Sequence, residues 1–462
     1  MSSNFDFASW PPSLTKVQLE ELTLHATTFA LSHGLLYLPP AERQPTIPSA
    51  AIHAPISLFP SPFPRELFWN ARRIQRIYNV LYSRIAMDDG FLDRVMGAEQ
   101  GVGRVDDFTG QLWTGWKKLR DEGLAQPLHL GLFRSDYLLH APPNETLSIK
   151  QVEFNTISVS FGCLSQKISE LHRYLSAATN YYMTSPYLTR DNFPPNETIS
   201  GLANGLAEAH KAYNVPGSQI LFVVQPGERN VFDQRALEYE LLEKQVPLIS
   251  RPEDTHPAKF VEISTVYYDQ DICLMNIPPQ RTIPPVFLER SKAIKSPTIA
   301  LQLAGGKKVQ EQISRNMARM YLALKINELR QSFIAIYVNS RCSSIKTGQE
   351  GFGVCKARKS AMSLVLKPQR EGGGNNVYKE AIPSFLDNLP PQEREAWIAM
   401  ELIKPPDGTG NYLVKAGSTD LQDQMPIKTD VVSELGIFGC KDSNEGGVAT
   451  GFSVLDSLLL VD

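Results

Sequence analysis

One short loop of this 462-residue chain concentrates the residues that could do chemistry: Lys367-Pro368-Gln369-Arg370-Glu371-Gly372-Gly373-Gly374-Asn375-Asn376. The apolar run Ser363-Leu364-Val365-Leu366 precedes it and predicts a strand. A strand feeding a glycine-rich loop lets backbone N–H groups come close to a chain of phosphates. Lys367 and Arg370 offer positive charge to phosphate oxygens, and Glu371 offers a hard oxygen to a divalent metal bridging those oxygens. The pattern predicts a site for a nucleoside triphosphate and Mg²⁺ rather than a solvated turn, for which Gly and Asn alone would suffice. It is neither a Walker A loop nor a dinucleotide fingerprint, since no Gly-x-x-x-x-Gly-Lys-Ser/Thr occurs and no Gly-x-Gly-x-x-Gly opens a helix.

A second constellation is Gln151-Val152-Glu153-Phe154-Asn155. Polar and apolar residues alternate, so in a strand Glu153 and Asn155 share one face. That pair reads either as oxygen ligands for Mg²⁺ or as a solvated strand face. The hydroxyl-rich segment Thr156-Ile157-Ser158-Val159-Ser160-Phe161-Gly162 follows, at a strand exit where binding loops commonly sit. Arg134 stands in an apolar strand region, where it could grip a carboxylate or a transferring phosphoryl group, or pair internally with Asp136. Glu228-Arg229-Asn230 lies between a strand end and a helix start, a favoured ligand position. Gly305-Gly306-Lys307-Lys308 offers two cations on a flexible pair, or simply a solvated loop. All eight histidines lie at or before His256, outside any nucleophile motif. Phosphates, metal and cations are left to carry the chemistry, the pattern of phosphoryl transfer.

These groups need elements to position them. Thr15 predicts a cap for a helix to about Ser32, with Gly34 as its stop. Leu67, Ala71, Ile74, Tyr78, Leu81 and Ile85 recur at helical spacing and read as core. Leu128–Leu139 and Leu147–Asn155 predict two strands joined by the turn Pro142-Pro143-Asn144-Glu145. Strand Ile220–Gln225, helix Val231–Lys244, a strand near Pro247–Ser250 and strand Ile263–Tyr268 predict a small parallel sheet of their own. Residues 339–360 are polar and patternless and read as a loop or disordered insert; the C-terminal end, Phe452–Val461, is apolar.

The bulk numbers bound the function. This length suits two or three domains. A net charge of −3 argues against a dedicated nucleic-acid binder. Five scattered cysteines, without a CxxC pair, support neither a disulfide framework nor a zinc site and suit a reducing compartment. No leader-like N-terminal pattern and no membrane-length apolar stretch is visible, so the expectation is a soluble cytoplasmic protein.

Taken in order, the segments resemble eukaryotic-type glutathione synthetase, an ATP-grasp ligase. The resemblance rests on Arg134-Ser135-Asp136-Tyr137, Val152–Ser158 with Ser160-Phe161-Gly162, Glu228–Arg235, Glu289-Arg290-Ser291, Gln302–Gly305, Lys307–Gln310, Lys367–Asn376, Ser433–Gly439 and Glu445–Ala449. Each motif is weak alone, and the ordered set is specific. The polar insert and N-terminal style resemble fungal members. The resemblance implies an α/β ATP-grasp fold with an inserted small parallel α/β domain and a Gly-rich lid. It implies an N-terminal body over 1–204, an inserted substrate domain over 205–308 and a C-terminal part over 309–462, with the lid at about 360–430. The implied reaction joins γ-glutamylcysteine and glycine at the expense of ATP, with one or two Mg²⁺ per subunit, in a homodimer. By resemblance, Glu153, Asn155 and Glu371 are metal ligands. Glu153, Lys307, Lys367, Pro368, Gln369, Arg370, Glu371, Gly372, Gly373, Gly374, Asn375, Asn376, Tyr378, Met400, Glu401, Leu402, Ile403, Glu434 and Glu445 form the ATP site. Arg134, Ile157, Ser158, Val159, Ser160, Glu228, Arg229, Asn230, Gln234, Val448 and Ala449 bind the peptide. Arg134, Ser160, Gly372 and Gly373 stabilise the transferring phosphoryl group.

Three departures stand out. After Val266-Tyr267-Tyr268 the family has an Arg-containing turn that helps bind the dipeptide, whereas this chain reads Asp269-Gln270-Asp271-Ile272. Between Gly439 and Glu445 only Cys440-Lys441-Asp442-Ser443-Asn444 remain, where the family carries a further Arg and Lys. Residues 311–360 match poorly. Each lost carboxylate-binding arginine removes about 1.5–3 kcal/mol of charged hydrogen bonding. The departures leave two alternatives open: another ATP-grasp carboxylate–amine ligase, or a catalytically impaired nucleotide-binding paralogue or splice form.

Overall fold

The computed structural model describes residues 5–39, 48–224, 227–250, 260–269, 285–314, 342–344, 352–369, 375–417, 425–442, 452–454 and 458–461. Its centre is an antiparallel sheet. Strand Leu130–His140 pairs on one side with Ser148–Asn155 and on the other with Glu434–Asp442, which is flanked in turn by Phe452–Val454. Arg134 stands opposite Asn155, and Asp136 opposite Glu153; a bulge then shifts the register at Asp136/Tyr137.

Alternation sends the apolar residues of these strands to the opposite face, onto helix Arg65–Ala86. That helix buries Phe68, Ala71, Ile74, Tyr78, Leu81, Tyr82 and Ile85. Phe154, between Glu153 and Asn155, stacks on Tyr82 with ring centroids 3.9 Å apart and also packs against Tyr78 and Phe133. Gly439 allows the helix to approach the sheet: a Cβ there would lie 2.4 Å from the Asn79 side chain.

A separate parallel sheet holds Ile294–Ser296, Ile263–Tyr268, Gln219–Val223 and Leu248–Ile249, in that spatial order. Helices Thr198–Tyr213 and Val231–Glu243 pack against it. A third sheet is antiparallel and orders Cys342–Ser344, Trp397–Glu401, Leu364–Pro368 and Val377–Tyr378. Thr15 caps helix Lys16–Ser32 in a capping box with Gln18, as its position predicts.

The expectation of a patternless loop over 339–360 needs correcting in part. Cys342–Ser344 is a strand on the edge of the third sheet, and Phe352–Lys359 is a helix. The helix buries Val354 and Ala357 against Leu364, Leu366, Ile382 and Leu386. One apolar pair is too short a signal for periodicity to detect, and the edge strand is recruited by its neighbour. The apolar C-terminal end also splits: Phe452–Val454 joins the central sheet, and Leu458–Val461 runs parallel to Ser61–Pro64.

Phe154 ties the site strand to its core. Phe154→Ala should destabilise the protein by about 3–5 kcal/mol through the lost ring and the cavity left behind. The unfolding midpoint in denaturant measures this, and an unchanged midpoint would remove the ring from the core argument.

Candidate functional site

The open face of the central sheet gathers charge from three strands. Arg134 Nε and Nη2 donate to the two Asp136 oxygens at 2.8 and 2.9 Å, and Nη1 donates to the Ser160 carbonyl at 3.1 Å. Asn155 Nδ2 donates to Asp136 Oδ2 at 2.7 Å. Lys307 Nζ sits 2.6 Å from Glu153 Oε2, and Lys367 Nζ donates to the Val152 carbonyl at 3.2 Å. Glu434, opposite Leu138 on the adjoining strand, completes the face.

This crowding sets the proton affinities. Burial works to raise the Glu153 pKa, but Lys307, then Lys367 and Arg134, overcome it and hold the pKa at about 2. Burial also works against the Arg134 charge, and Asp136, with Glu153 and Glu434, outweighs it and raises that pKa. At Glu434 the counter-charges of Arg134 and Lys367 are outweighed. Burial, reinforced by Asp136 and Glu153, pushes it up to about 7.

Beside this face a cleft of about 1170 Å³ opens between the central sheet and the third sheet. Glu153, Lys307, Lys367 and Glu434 line one part of it. Val365, Tyr378, Met400, Leu402 and Ile403 line another. An apolar slot with a cationic end can take a flat base and its phosphates. Pro368, Asn376 and Glu401 also line the cleft. Gln369 does not: its Oε1 accepts from Lys308 N at 2.8 Å and its Nε2 donates to the Ala396 carbonyl, so it ties the third sheet to the segment after Gly306. Asn375 is not among the lining residues. Arg370, Glu371, Gly372, Gly373, Gly374, Glu445, Val448 and Ala449 lie outside the described residues.

The turn after Asn155 forms a second group. Ser158 and Phe161 adopt positive φ, 55° and 68°. Ile157 and Val159 are buried against apolar residues of the parallel-sheet region, so their side chains serve packing. Ser160 contributes its carbonyl to Arg134. Asp233, at the start of helix Val231–Glu243, accepts from the backbone N–H groups of Phe161, Cys163 and Leu164 at 2.7, 2.8 and 3.0 Å. It thereby caps helix Gly162–Thr179, whose own N-cap Phe161 has no capping side chain. Glu228 accepts from Asn230 N, and Gln234 is buried in the same helix as Asp233. Arg229 is turned to the N-terminal segment: Nε donates to the Leu38 carbonyl and the guanidinium stacks on Tyr37. Asp269, just after Tyr268, accepts from Tyr267 Oη at 3.1 Å. Burial and Asp233 raise its pKa to about 7.

Sequence reasoning did not assign Asp136 or Asp233 to the site. The spacing Arg134-x-Asp136 on a strand signalled that both share a face, but left open whether Arg134 serves a ligand or an internal pair; the pair forms, with two guanidinium N–H groups uncommitted among these contacts. Asp233 gave no local signal, since its partners lie some seventy residues earlier.

Residues 16–441 match the family described as eukaryotic glutathione synthase, ATP binding domain. The chain is 34% identical to the glutathione synthetase large chain of Schizosaccharomyces pombe, over 96% of this chain and 98% of that protein. Identity to the Homo sapiens glutathione synthetase is also 34%, over 96% and 97%. The chain belongs to the eukaryotic glutathione synthetase family. Members of this family are ATP-dependent ligases, in keeping with the resemblance drawn from the ordered motifs. A glutathione synthetase-like effector from Globodera pallida shares the fold, with a TM-score of 0.70 at 21% identity over 97% of this chain and 98% of that one.

The charged face predicts a pH dependence. An acid with a raised folded pKa keeps its proton after the unfolded chain has lost it, so Glu434 reduces stability as pH rises from about 4.5 to about 7. Glu434→Gln should flatten that fall by on the order of 1–2 kcal/mol. Denaturation midpoints at pH 5 and 7.5 decide it, and an identical pH slope in both proteins would take Glu434 out of the network.

Proposed function

We propose that this chain is a glutathione synthetase that ligates γ-glutamylcysteine and glycine, on an ATP-grasp fold with the spans 1–204, 205–308 and 309–462 described above. The observation that carries the reading is the cleft in which Lys307 and Lys367 meet Glu153 and Glu434 at the end of an apolar slot. ATP occupies the cleft with its base near Tyr378 and Met400 and its phosphates toward the lysines. The dipeptide lies against Arg134, the Ile157–Ser160 turn, Glu228, Asn230 and Gln234, with Val448 and Ala449 of the C-terminal segment. The protein acts as a cytoplasmic homodimer.

The chemistry follows from that placement. The dipeptide's terminal carboxylate attacks the γ-phosphate, forming a C–O–P acyl phosphate and releasing ADP. The glycine amine then attacks the acyl carbon, the C–N bond forms, a proton leaves the amine and phosphate departs. Arg134, Ser160, Gly372 and Gly373 offset charge on the transferring group, and the Lys367–Asn376 loop excludes water that would hydrolyse the intermediate. Among the described residues no three His, Cys, Asp or Glu side chains form a ready metal cage. Mg²⁺ needs none, since it takes one or two protein carboxylates and completes its shell with water and phosphates. Glu153 and Asn155, side by side with Asp136 and Arg134 on the charged face, supply the hard-oxygen donor chemistry such a cation fits. Glu153 and Asn155, with Glu371, would hold one or two ions. Held there, Mg²⁺ would supply positive charge to offset that of the phosphates.

One observation favours a second reading. Asp269 joins Asp233 and Glu228 where the family has a carboxylate-binding arginine, which suits a ligase for a different peptide or amino acid. Phosphate release from Mg·ATP, with γ-glutamylcysteine, with and without glycine, separates the cases when glutathione is detected directly. Glycine-dependent release with matching glutathione is expected. ATP binding without release would point to an impaired nucleotide-binding chain, and release only with other acceptors to the second ligase. Glu371→Gln should abolish the Mg²⁺-dependent turnover while the unfolding midpoint stays unchanged; normal turnover would remove Glu371 from the metal site.

A further inference from the structure

Asp136 accepts three hydrogen bonds on the charged face, as many as Arg134 donates. It sits in the middle of strand Leu130–His140 and is 3% exposed. Its Oδ1 accepts from Arg134 Nε at 2.8 Å, and its Oδ2 accepts from Arg134 Nη2 at 2.9 Å and from Asn155 Nδ2 at 2.7 Å. The two-point grip on Nε and Nη2 fixes the plane of the guanidinium. The third contact, from Nη1 to the Ser160 carbonyl, fixes which edge faces outward. Two N–H groups, one on each Nη, are left for a ligand.

The same carboxylate decides how Asn155 is turned. A carboxylate gripping a guanidinium through both oxygens is an acceptor only, so Asn155 must face it with Nδ2. The Asn155 carbonyl oxygen is thereby held on the other side of its amide plane, free to act as an oxygen ligand. A single buried acid thus sets both a cationic fork and a neutral oxygen. Arg134 comes from Asp136's own strand and Asn155 from the neighbouring one, so the register Arg134 opposite Asn155 is what lets one residue reach both.

We propose that Asp136 is a positioning residue for the ligase reaction: it touches no substrate, and it orients Arg134 toward the transferring phosphoryl group and Asn155 toward the divalent cation. The assignment rests on the function proposed above, and the test separates the two. Asp136→Asn is nearly isosteric but offers one accepting oxygen in place of two and no charge. Loss of a charge-assisted contact of this kind corresponds to roughly a 10- to 150-fold effect.

The full chain and its variants are compared in three measurements. In steady-state kinetics, Asp136→Asn should lower kcat by about 10- to 150-fold and raise the KM for Mg·ATP in step with the weaker hold on metal-bound nucleotide. In calorimetric titrations with Mn·ATP, the variant should bind weakly, while metal-free ATP binds as it does to the unaltered chain. In a rescue assay, free guanidinium should restore part of the activity of Arg134→Ala, and the restoration should vanish in the Arg134→Ala, Asp136→Asn double variant. Equal rescue in both backgrounds, or unchanged kcat and Mn·ATP affinity in Asp136→Asn, would overturn the proposal. So would a parallel fall in kcat, affinity for metal-free ATP and unfolding midpoint, the result of a merely structural role. If the unaltered chain forms no glutathione, the functional reading fails, and the Mn·ATP against metal-free ATP comparison still decides the part played by Asp136.

Discussion

Four ionisable side chains from three strands, Arg134, Asp136, Glu153 and Glu434, share one partly buried sheet face, and such a face tolerates them only as a mutually satisfied set. The register satisfies it. Arg134 meets Asp136 within its own strand, Asn155 reaches the same acid from the neighbouring strand, and Lys307 comes in from outside the sheet to meet Glu153. Lys367 joins from the third sheet, so three cations stand against three acids, and burial with the other two acids still drives the Glu434 carboxyl upward. The rest of the site is arranged around this balanced, closely packed set of charges.

The apolar reverse of the sheet is what holds the polar side still. Phe154 falls between Glu153 and Asn155 in sequence and Tyr137 follows Asp136, and both point to the opposite face, where Tyr78, Tyr82 and Phe133 pack around Phe154. Strand alternation makes one segment serve both purposes: every residue that anchors the sheet spaces two that face the cleft. The third sheet approaches from the other side and brings Lys367, Tyr378 and Met400 to the same opening.

The parallel-sheet region joins the site through Asp233. Its carboxylate, buried by the helix it begins, takes three backbone N–H groups at the start of helix Gly162–Thr179. Peptide N–H groups at a helix start carry partial positive charge, so the contact is electrostatically matched as well as geometrically complete. It fixes the Ile157–Ser160 turn relative to Glu228 and Gln234, and these two sides become one unit. Asp269 stands near Asp233 and Glu228, which makes this part of the chain acidic.

Much was legible from residue order alone. Helix and strand spacing located the capped helix after Thr15, the strand pair before and after Pro142, and the βαβ run that forms the parallel sheet, because periodicity and capping are local properties of the chain. Glu153 and Asn155 on one face and the cations after Gly306 were visible for the same reason, whereas Lys367, read as the first residue of a loop, lies within strand Leu364–Pro368. The short helix Phe352–Lys359 and the edge strand Cys342–Ser344 were not, since each gains its stability from a neighbour distant in sequence. Nor could spacing decide whether Arg134 serves a ligand or an ion pair, that Gln369 turns toward Lys308 and Ala396, or that Asp233 caps another element's helix. Local chemistry fixed which residue types were present and on which side of a strand they stood; tertiary structure decided which charges became neighbours, because Coulomb energy and hydrogen bonding depend on separations in space that only folding sets.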